Sequence, residues 1–148
     1  MNNLTYRRAN HADIPAMSKI RLAVRENTLS NPASVTQTMY EDYLELLGRG
    51  WVCELEGQII GFSYAAILDH SIWALFIDPN FEGRGAGKEL LYLATQWLFE
   101  NGATVVKLST SINSRADNFY LAQGWSRGEI KNECEVSFSI ERVKYNVR

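Results

Sequence analysis

Three glycines within five residues, at positions 83, 85 and 87, lie directly before a stretch whose apolar spacing predicts a helix. Glycine loses the most conformational freedom on folding, so such a cluster indicates a backbone that turns sharply or approaches a ligand closely. Backbone N–H groups at a helix start attract anions, and Arg84 and Lys88 add positive charge beside them. The cluster therefore predicts a pyrophosphate site; the alternative interpretation is a tight strand-to-helix turn that binds nothing.

The spacing of these glycines excludes two common phosphate-binding motifs. A P-loop has the pattern G-x-x-x-x-G-K-[S/T]. Aligning Gly87 as its second glycine puts Glu82 at the first glycine and Glu89 at the hydroxyl. The dinucleotide-binding fingerprint G-x-G-x-x-G fails as well, because its third glycine falls on Lys88 or Leu90. What remains is a strand, a turn, G-x-G-x-G and a helix.

The elements predicted around this loop form one mixed α/β domain over residues 1–148. Asp13 is predicted to cap the first helix and Gly48 to end the second, while Glu56-Gly57 predicts a two-residue hairpin turn. The predicted strands are Leu4–Arg8, Trp51–Leu55, Gln58–Leu68, Ile72–Ile77, Thr104–Ser109 and two more that end near Lys144. The predicted helices follow Asp13, span Thr36–Leu47, follow the glycine loop and span Ser114–Gln123.

A second motif lies one strand beyond the helix that follows the glycine loop. It has the pattern N-x-x-A-x-x-x-Y-x-x-x-G-[F/W], which is matched by Asn113, Ala116, Tyr120, Gly124 and Trp125. With Glu82–Gly87 in the place of [Q/R]-x-x-G-x-[G/A], the chain resembles the GNAT superfamily of acyl-CoA-dependent N-acetyltransferases over nearly its whole length. The resemblance implies an α/β (α+β) fold, a mixed, mostly antiparallel twisted sheet of about seven strands flanked by about four helices.

The resemblance implies acetyl-CoA as the cosubstrate and no metal. In the family the glycine loop binds the CoA pyrophosphate. The strand before it offers backbone groups to the pantetheine arm, and the Leu75 N–H would polarise the acetyl carbonyl. Asn113 would contact the same arm; the alternative is that it caps the following helix or precedes a cap at Ser114. The residues expected to contact CoA are Leu75, Phe76, Ile77, Glu82, Gly83, Arg84, Gly85, Ala86, Gly87, Lys88, Asn113, Ala116 and Tyr120.

Glu82 departs from the family pattern, which has Gln or Arg at this position. A carboxylate that faced the pyrophosphate would repel it. We therefore expect the Glu82 side chain to turn away from the anion, leaving the backbone amides of the loop to bind it.

Tyr120 is the candidate proton donor for the departing thiolate, because the matching tyrosine of the family lies beside the CoA sulfur. Its ordinary pKa near 10 exceeds the value of about 8.5 for a thiol, so it is protonated at neutral pH and can donate. The alternative role is packing, since Ala116, Phe119 and Tyr120 share one helix face.

No residue matches the usual base of the family, a glutamate at the start of the strand before the loop. The matching position is Ser71, which cannot act as a base. His70 has suitable chemistry near neutral pH, and Glu26 lies at the end of the first helix, which borders the acceptor site in this fold. The alternative for His70 is an ordinary histidine in a surface turn, and the alternative for Glu26 is a solvated helix end. A water relay with no dedicated base is the third alternative. The residues expected to bind the acceptor are Arg25, Glu26, Asn27 and Trp73.

Composition narrows the class of protein further. A net charge of −2 and a pI near 5.7 indicate no basic face for nucleic acid, and no apolar run is long enough to cross a bilayer. Cys53 and Cys134 lie apart without metal-ligand spacing, which predicts reduced core thiols in a cytoplasmic protein. The last strands could finish the sheet alone or pair with a second copy, and the resemblance favours a homodimer, because dimers are frequent in the family.

Together these features predict an N-acetyltransferase that moves the acetyl group of acetyl-CoA directly to a primary amine of a small molecule. A protein N-terminus or a lysine is the alternative acceptor. A non-catalytic acyl-CoA sensor is the alternative from another class. The serine at position 71 favours a sensor, whereas the tyrosine at position 120 argues against it.

Overall fold

The computed structural model describes residues 3–24, 41, 44, 46–112, 114–130 and 135–142. These residues form a seven-stranded sheet of order β1-β2-β3-β4-β5-β7-β6. The strands are β1 (Leu4–Arg8), β2 (Gly48–Leu55), β3 (Gln58–Ala66), β4 (Ser71–Ile77), β5 (Val105–Ser111), β6 (Ser126–Ile130) and β7 (Glu135–Glu141). The helices are α1 (Ile14–Ala23), α2 (Ala86–Glu100) and α3 (Arg115–Ala122), with 3-10 turns at His11–Asp13 and Pro79–Phe81. Neighbouring strands are antiparallel except β4 and β5, which confirms the predicted mixed, mostly antiparallel sheet.

The predicted helix 36–47 falls mostly outside the described residues, although Glu41 and Leu44 within it are helical. The role predicted for Gly48 is wrong, because this glycine begins β2 instead of ending a helix. A β-carbon added to Gly48 would lie 1.8 Å from the backbone oxygen of Ala65 on β3. Glycine is therefore required here by the close approach of two paired strands.

The hairpin between β2 and β3 has the predicted two-residue turn. Glu56 has φ 52° and Gly57 has φ 83°. Both values lie in the left-handed region that the favoured hairpin turns require, and their twist matches that of the flanking strands. The turn fixes the register of β3, the strand against which β4 is aligned.

Two hydrophobic cores lie on opposite sides of the central strands, because successive side chains of a strand alternate between faces. The larger core includes Trp51 of β2, Leu90 of α2 and Tyr120 of α3. The smaller one includes Met17 of α1 and Tyr64 of β3. Helices α2 and α3 therefore share one core, and α1 contributes to the other.

Cys53 belongs to the larger core, is fully buried and is not in a disulfide, as predicted. Burial raises the pKa of its thiol, since a thiolate is disfavoured away from water. Cys134 lies outside the described residues. Among the helices that the structure describes, none has both the length and the apolar composition needed to cross a bilayer.

The start of the first helical segment differs from the prediction that Asp13 is its side-chain cap. Asn10 is the cap: its Oδ1 accepts from the Ala12 N–H at 3.0 Å. Asp13 Oδ2 accepts from the Asn10 N–H at 2.8 Å, which completes a capping box. Both Asp13 oxygens also accept from Arg7 on β1, at 2.8 Å each. Asp13 therefore joins this helix start to the sheet, a role that its position in sequence did not reveal.

We expect Asp13→Asn to lower the free energy of unfolding by about 2 kcal/mol at pH 7, because it leaves a partly exposed Arg7 without its buried anion. The Arg7 guanidinium is the main cause of the lowered pKa of Asp13 in the folded protein. A carboxyl with a lowered folded pKa stabilises the protein above its unfolded pKa of about 3.9, and this contribution disappears as the pH falls through the folded value. The difference in the free energy of unfolding between wild type and Asp13→Asn should therefore decrease toward pH 2.5.

Urea unfolding at pH 7, 4 and 2.5 measures this difference, and Asn retains the oxygen that accepts from Asn10. Glu56→Gln, which removes an exposed charge in the hairpin turn, is the matched control and should change stability little at any pH. If Asp13→Asn loses the same stability at all three pH values, the loss does not come from the ion pair with Arg7.

Candidate active site

The sheet is interrupted between β4 and β5, its one parallel pair. Among the residues that the structure describes, Ser71 and Lys107 form the single aligned pair between these strands, and the Lys107 N–H donates to the His70 carbonyl there at 3.1 Å. On its other side β5 pairs with β7 along its whole length, and β4 pairs with β3. The two strands are therefore joined near the start of β4 and separate toward their carboxyl ends. Crevices at the carboxyl ends of parallel strands are common ligand sites.

The glycine loop lies at the open end of this split, between β4 and α2. Gly83 has φ 80° and Gly85 has φ 86°, and a β-carbon added to either would meet no atom within 4 Å. These glycines are required by backbone conformation and not by crowding. Gly85 is the N-cap of α2 and brings no side-chain acceptor. The first N–H groups of this helix, which have no partner within the helix, are thus available to an anion.

Two cations lie on the loop as the sequence indicated. The guanidinium carbon of Arg84 is 5.7 Å from the centre of the Phe81 ring, a cation–π contact with the 3-10 turn that precedes the loop. Lys88, in the first turn of α2, is exposed. Their charges add to the dipole of α2, so the potential at the loop favours an anion.

The first turn of α2 brings the two sides of the split together. A β-carbon added to Gly87 would lie 3.7 Å from the Phe119 ring of α3 and 3.8 Å from the Ile77 side chain of β4. Ile77 ends β4, and Phe119 belongs to the helix that follows β5. The loop, the end of β4 and α3 therefore meet at one point, although they are far apart in sequence.

Tyr120 is buried on α3, with 6% of its surface exposed. Its ring centre lies 5.2 Å from that of Phe119, 6.0 Å from that of Trp125 and 5.5 Å from that of Phe138 on β7. Phe138 is the cross-strand partner of Leu108 on β5, so the tyrosine lies over the β5 side of the split. Burial raises the pKa of Tyr120 well above its ordinary value, and the phenol is fully protonated at neutral pH.

Helix α3 is held in place at both ends of its first turn. Ser114 caps it, with Oγ accepting from the Asp117 N–H at 3.2 Å. Asp117, which is buried, accepts from Arg127 on β6 through both oxygens, at 3.0 and 3.1 Å. This bidentate pair raises the pKa of Arg127 and ties the helix that carries Tyr120 to the edge of the sheet.

His70 and Ser71 lie at the closed end of the split. The backbone of His70 is in the left-handed region, with φ 52°. Residues other than glycine adopt this conformation at an energetic cost. The Ser71 hydroxyl donates to Asp69 at 2.7 Å. Ser71 and Ile77 are the two ends of β4, so the full length of this strand separates His70 from the glycine loop. The structure therefore places the candidate base and the candidate anion site at opposite ends of β4.

Trp73 lies at an irregularity of β4. Tyr64 and Ala65 of β3 pair with Ala74 and Ile72, so Trp73 is an extra residue between them. Its ring stacks on that of Tyr64, with centres 4.8 Å apart and an angle of 30°. Bulges of this kind re-aim side chains near functional sites. Leu75, Phe76 and Ile77 follow and are partly buried.

Four predicted site residues lie outside the described residues: Arg25, Glu26, Asn27 and Asn113. In the described part of the chain, no group of three or more His, Cys, Asp or Glu side chains could hold a metal ion. One site contact was missed at the level of sequence: Glu82 of the glycine loop forms an ion pair with Arg115, the first residue of α3. No local pattern announces it, because the two residues belong to elements that only the fold brings together.

Comparison with known proteins identifies the family. The chain is 29% identical over 90 residues to an uncharacterized N-acetyltransferase of Methanocaldococcus jannaschii, an alignment that covers 54% of this chain and 40% of that relative. The chain thus spans less than half the length of this curated relative.

Two solved structures are similar in fold. An N-acetyltransferase of Staphylococcus aureus Mu50 superposes with a TM-score of 0.78 at 15% identity, covering 94% of this chain and 98% of that one. The yncA protein of Salmonella typhimurium, solved with its cofactor acetyl-CoA, superposes with a TM-score of 0.74 at 15% identity, covering 99% and 98%. A model of the acetyltransferase (GNAT) family matches residues 18–125, well over half of the sequence, and the chain therefore belongs to the acetyltransferase (GNAT) family.

Proposed function

We propose that this protein transfers the acetyl group of acetyl-CoA directly to a primary amine, and that the physiological acceptor is a small molecule. The observation that carries the proposal is the split between β4 and β5, with an uncapped, glycine-rich helix start at its open end. A crevice of this shape suits a long, narrow ligand with an anionic group at one end. CoA has this form, with a pantetheine arm joined to a pyrophosphate.

The residues around the split fit the two parts of CoA. The backbone N–H groups at Gly85–Lys88, with the side-chain charges of Arg84 and Lys88, would hold the pyrophosphate. Beyond Ser71 the edge of β4 is not in register with β5, so its backbone groups can pair with the amides of the pantetheine arm as a neighbouring strand would. In this arrangement Leu75, Phe76 and Ile77 would lie along the arm, and the Leu75 N–H would face the acetyl carbonyl.

The bound thioester supplies an acyl carbon that the neutral amine attacks, so that a C–N bond forms and the C–S bond breaks. Negative charge develops on the carbonyl oxygen, and the Leu75 N–H stabilises it there. Tyr120 then donates its proton to the departing sulfur, so that CoA leaves as the free thiol, and the phenolate takes a proton from water before the next turnover. Its elevated pKa ensures that the donor form is present throughout the neutral range.

The proton released by the amine leaves toward the closed end of the split. His70 precedes Leu75 by five residues, which in an extended strand is about 16 Å and too far for direct transfer. Water molecules between them would complete the path, and we propose this relay with His70 as its protein end. Glu26 is the other proposed base. Arg25, Glu26 and Asn27, which follow α1 in the sequence, are the proposed acceptor-binding residues.

A small acceptor is proposed because the strand that would carry the acetyl group also presents an aromatic surface. Trp73, at the bulge of β4, is partly buried and stacks on Tyr64, and Phe76 of the same strand packs against the same core. Such a surface suits the apolar part of a compact amine.

The cytoplasmic location and the homodimer stay predictions.

Release of free thiol from acetyl-CoA, measured against small amines, polyamines, amino acids, N-terminal peptides and lysine peptides, tests the function. We expect turnover with a member of the small-amine group. Turnover with peptides alone would contradict the small acceptor and retain the enzyme. Tight CoA binding by calorimetry with no turnover on any acceptor would favour the sensor.

We expect Tyr120→Phe to lower kcat by about 100-fold and to leave the Kd for CoA within about twofold, because the ring packing remains and only the proton donor is lost. Steady-state kinetics and calorimetry give the two values. Tyr6→Phe, on β1 and separated from β4 by two strands, is the matched control and should retain activity. An unchanged kcat for Tyr120→Phe would show that its role is packing.

We expect Gly85→Ala to weaken CoA binding at least 10-fold and to cost about 1 kcal/mol of stability, because alanine is strained at φ 86° and the loop must shift. Gly57→Ala is a closely matched control: its φ is 83°, it also has no atom within 4 Å of an added β-carbon, and it lies in the β2–β3 hairpin. It should lose similar stability and bind CoA normally. Equal losses of CoA binding in both variants would mean that the effect comes from stability alone.

A further inference from the structure

The ion pair between Glu82 and Arg115 joins the two sides of the open end of the split. Glu82 lies in the glycine loop that follows β4, and Arg115 begins the helix that follows β5. The contact between Gly87 and Phe119 joins the same two elements. The pair therefore lies where the pyrophosphate of CoA is proposed to bind.

The pair is not explained by stability. The Arg115 side chain is 71% exposed and that of Glu82 is 32% exposed. Exposed ion pairs contribute little to folding, because solvent screens their attraction and two long side chains must be ordered. A role in ligand binding is the stronger explanation, since a carboxylate in an anion-binding loop would weaken that loop unless a cation compensates it.

Arginine has the chemistry needed to compensate Glu82 and contact phosphate at the same time. Its guanidinium has five N–H donors in a planar fork, and the bond to Glu82 uses the Nη1 side. Arginine binds phosphate oxygens through paired hydrogen bonds that are stronger than those of neutral donors. The ion pair with Glu82 positions the Arg115 guanidinium at the loop before the ligand binds. Less side-chain entropy is therefore lost on binding.

We propose that Arg115 binds the pyrophosphate of CoA from α3 and that Glu82 is the residue that positions it. Arg115 of α3 would thus supply, from the other side of the split, the positive charge that the loop lacks at position 82. The inference rests on the proposed binding of CoA at the glycine loop. It adds a residue from the β5 side to a pyrophosphate site otherwise formed by the β4 side.

Calorimetry with CoA on the full chain at fixed ionic strength tests the proposal. We expect Arg115→Gln to weaken binding at least 10-fold, because the cation is lost and the negative charge of Glu82 in the loop is left uncompensated. Arg115→Lys should recover part of the affinity. Glu82→Gln should bind CoA within about threefold of wild type, since the repulsive charge disappears with the positioning residue. Lys19→Gln, an exposed charge on α1, is the control for net charge and should have no effect.

The double variant Glu82→Gln/Arg115→Gln gives the sharpest result. Removing the carboxylate should make the loss of Arg115 less costly, so the double variant should bind CoA more tightly than Arg115→Gln alone. Two independent, multiplying effects would overturn the positioning role. Unfolding midpoints should be the same for all variants, because the pair is exposed.

Two further outcomes separate this proposal from the proposed function. If wild type fails to bind CoA, both are overturned. If wild type binds CoA and Arg115→Gln binds within twofold of it, only the role of Arg115 is overturned. Dephospho-CoA, which keeps the pyrophosphate and lacks the 3′-phosphate, should show the same loss with Arg115→Gln as CoA does. A loss seen with CoA alone would overturn the assignment to the pyrophosphate.

Discussion

The site depends on one constraint: two parallel strands that are neighbours in the sheet but paired at a single position, Ser71 with Lys107. Because β4 and β5 run the same way, the segments that follow them begin at the same end of the sheet. The glycine loop follows β4 and α3 follows β5, so the loop and Tyr120 are brought to one crevice. Full pairing of β4 with β5 would close that crevice and leave the loop as an isolated turn.

Each strand of the split has a pairing partner on its other side. On one side β4 pairs with β3, and the Ser63 hydroxyl of β3 donates to the Leu90 carbonyl of α2 at 3.1 Å in the buried core. On the other side β5 pairs with β7, and the Asp117–Arg127 pair anchors α3 to β6. Both strands therefore keep a pairing partner where they part, and the larger core, which includes Ile72 of β4 and Val106 of β5, joins the two sides.

Local patterns in the sequence predicted the elements but not how distant residues meet. The strands, the Glu56-Gly57 turn and the conformation of the glycine loop follow from alternation and from the φ values that glycine permits. Asp13 looked like a cap because a carboxyl before a helix usually is one. Instead, the Asp13 carboxylate accepts hydrogen bonds from Arg7 on β1, and Asn10 caps the helix start. Gly48 was taken for a helix end because its real constraint, the Ala65 carbonyl, lies on another strand.

The same burial that keeps Tyr120 protonated also decides what it can contribute. A phenol with a strongly raised pKa is a weak acid toward a thiolate in water. In the proposed reaction the CoA thiolate would be released into the same desolvated place, and its pKa would rise for the same reason. The pKa values of donor and acceptor would then stay close only if both groups remain away from water. In the proposed mechanism, the aromatic packing of Tyr120 against Trp125 and Phe138 would therefore contribute to proton donation by keeping water away from the phenol. It follows that a loss of activity at mildly alkaline pH must arise from a group other than Tyr120, because this phenol does not ionise there.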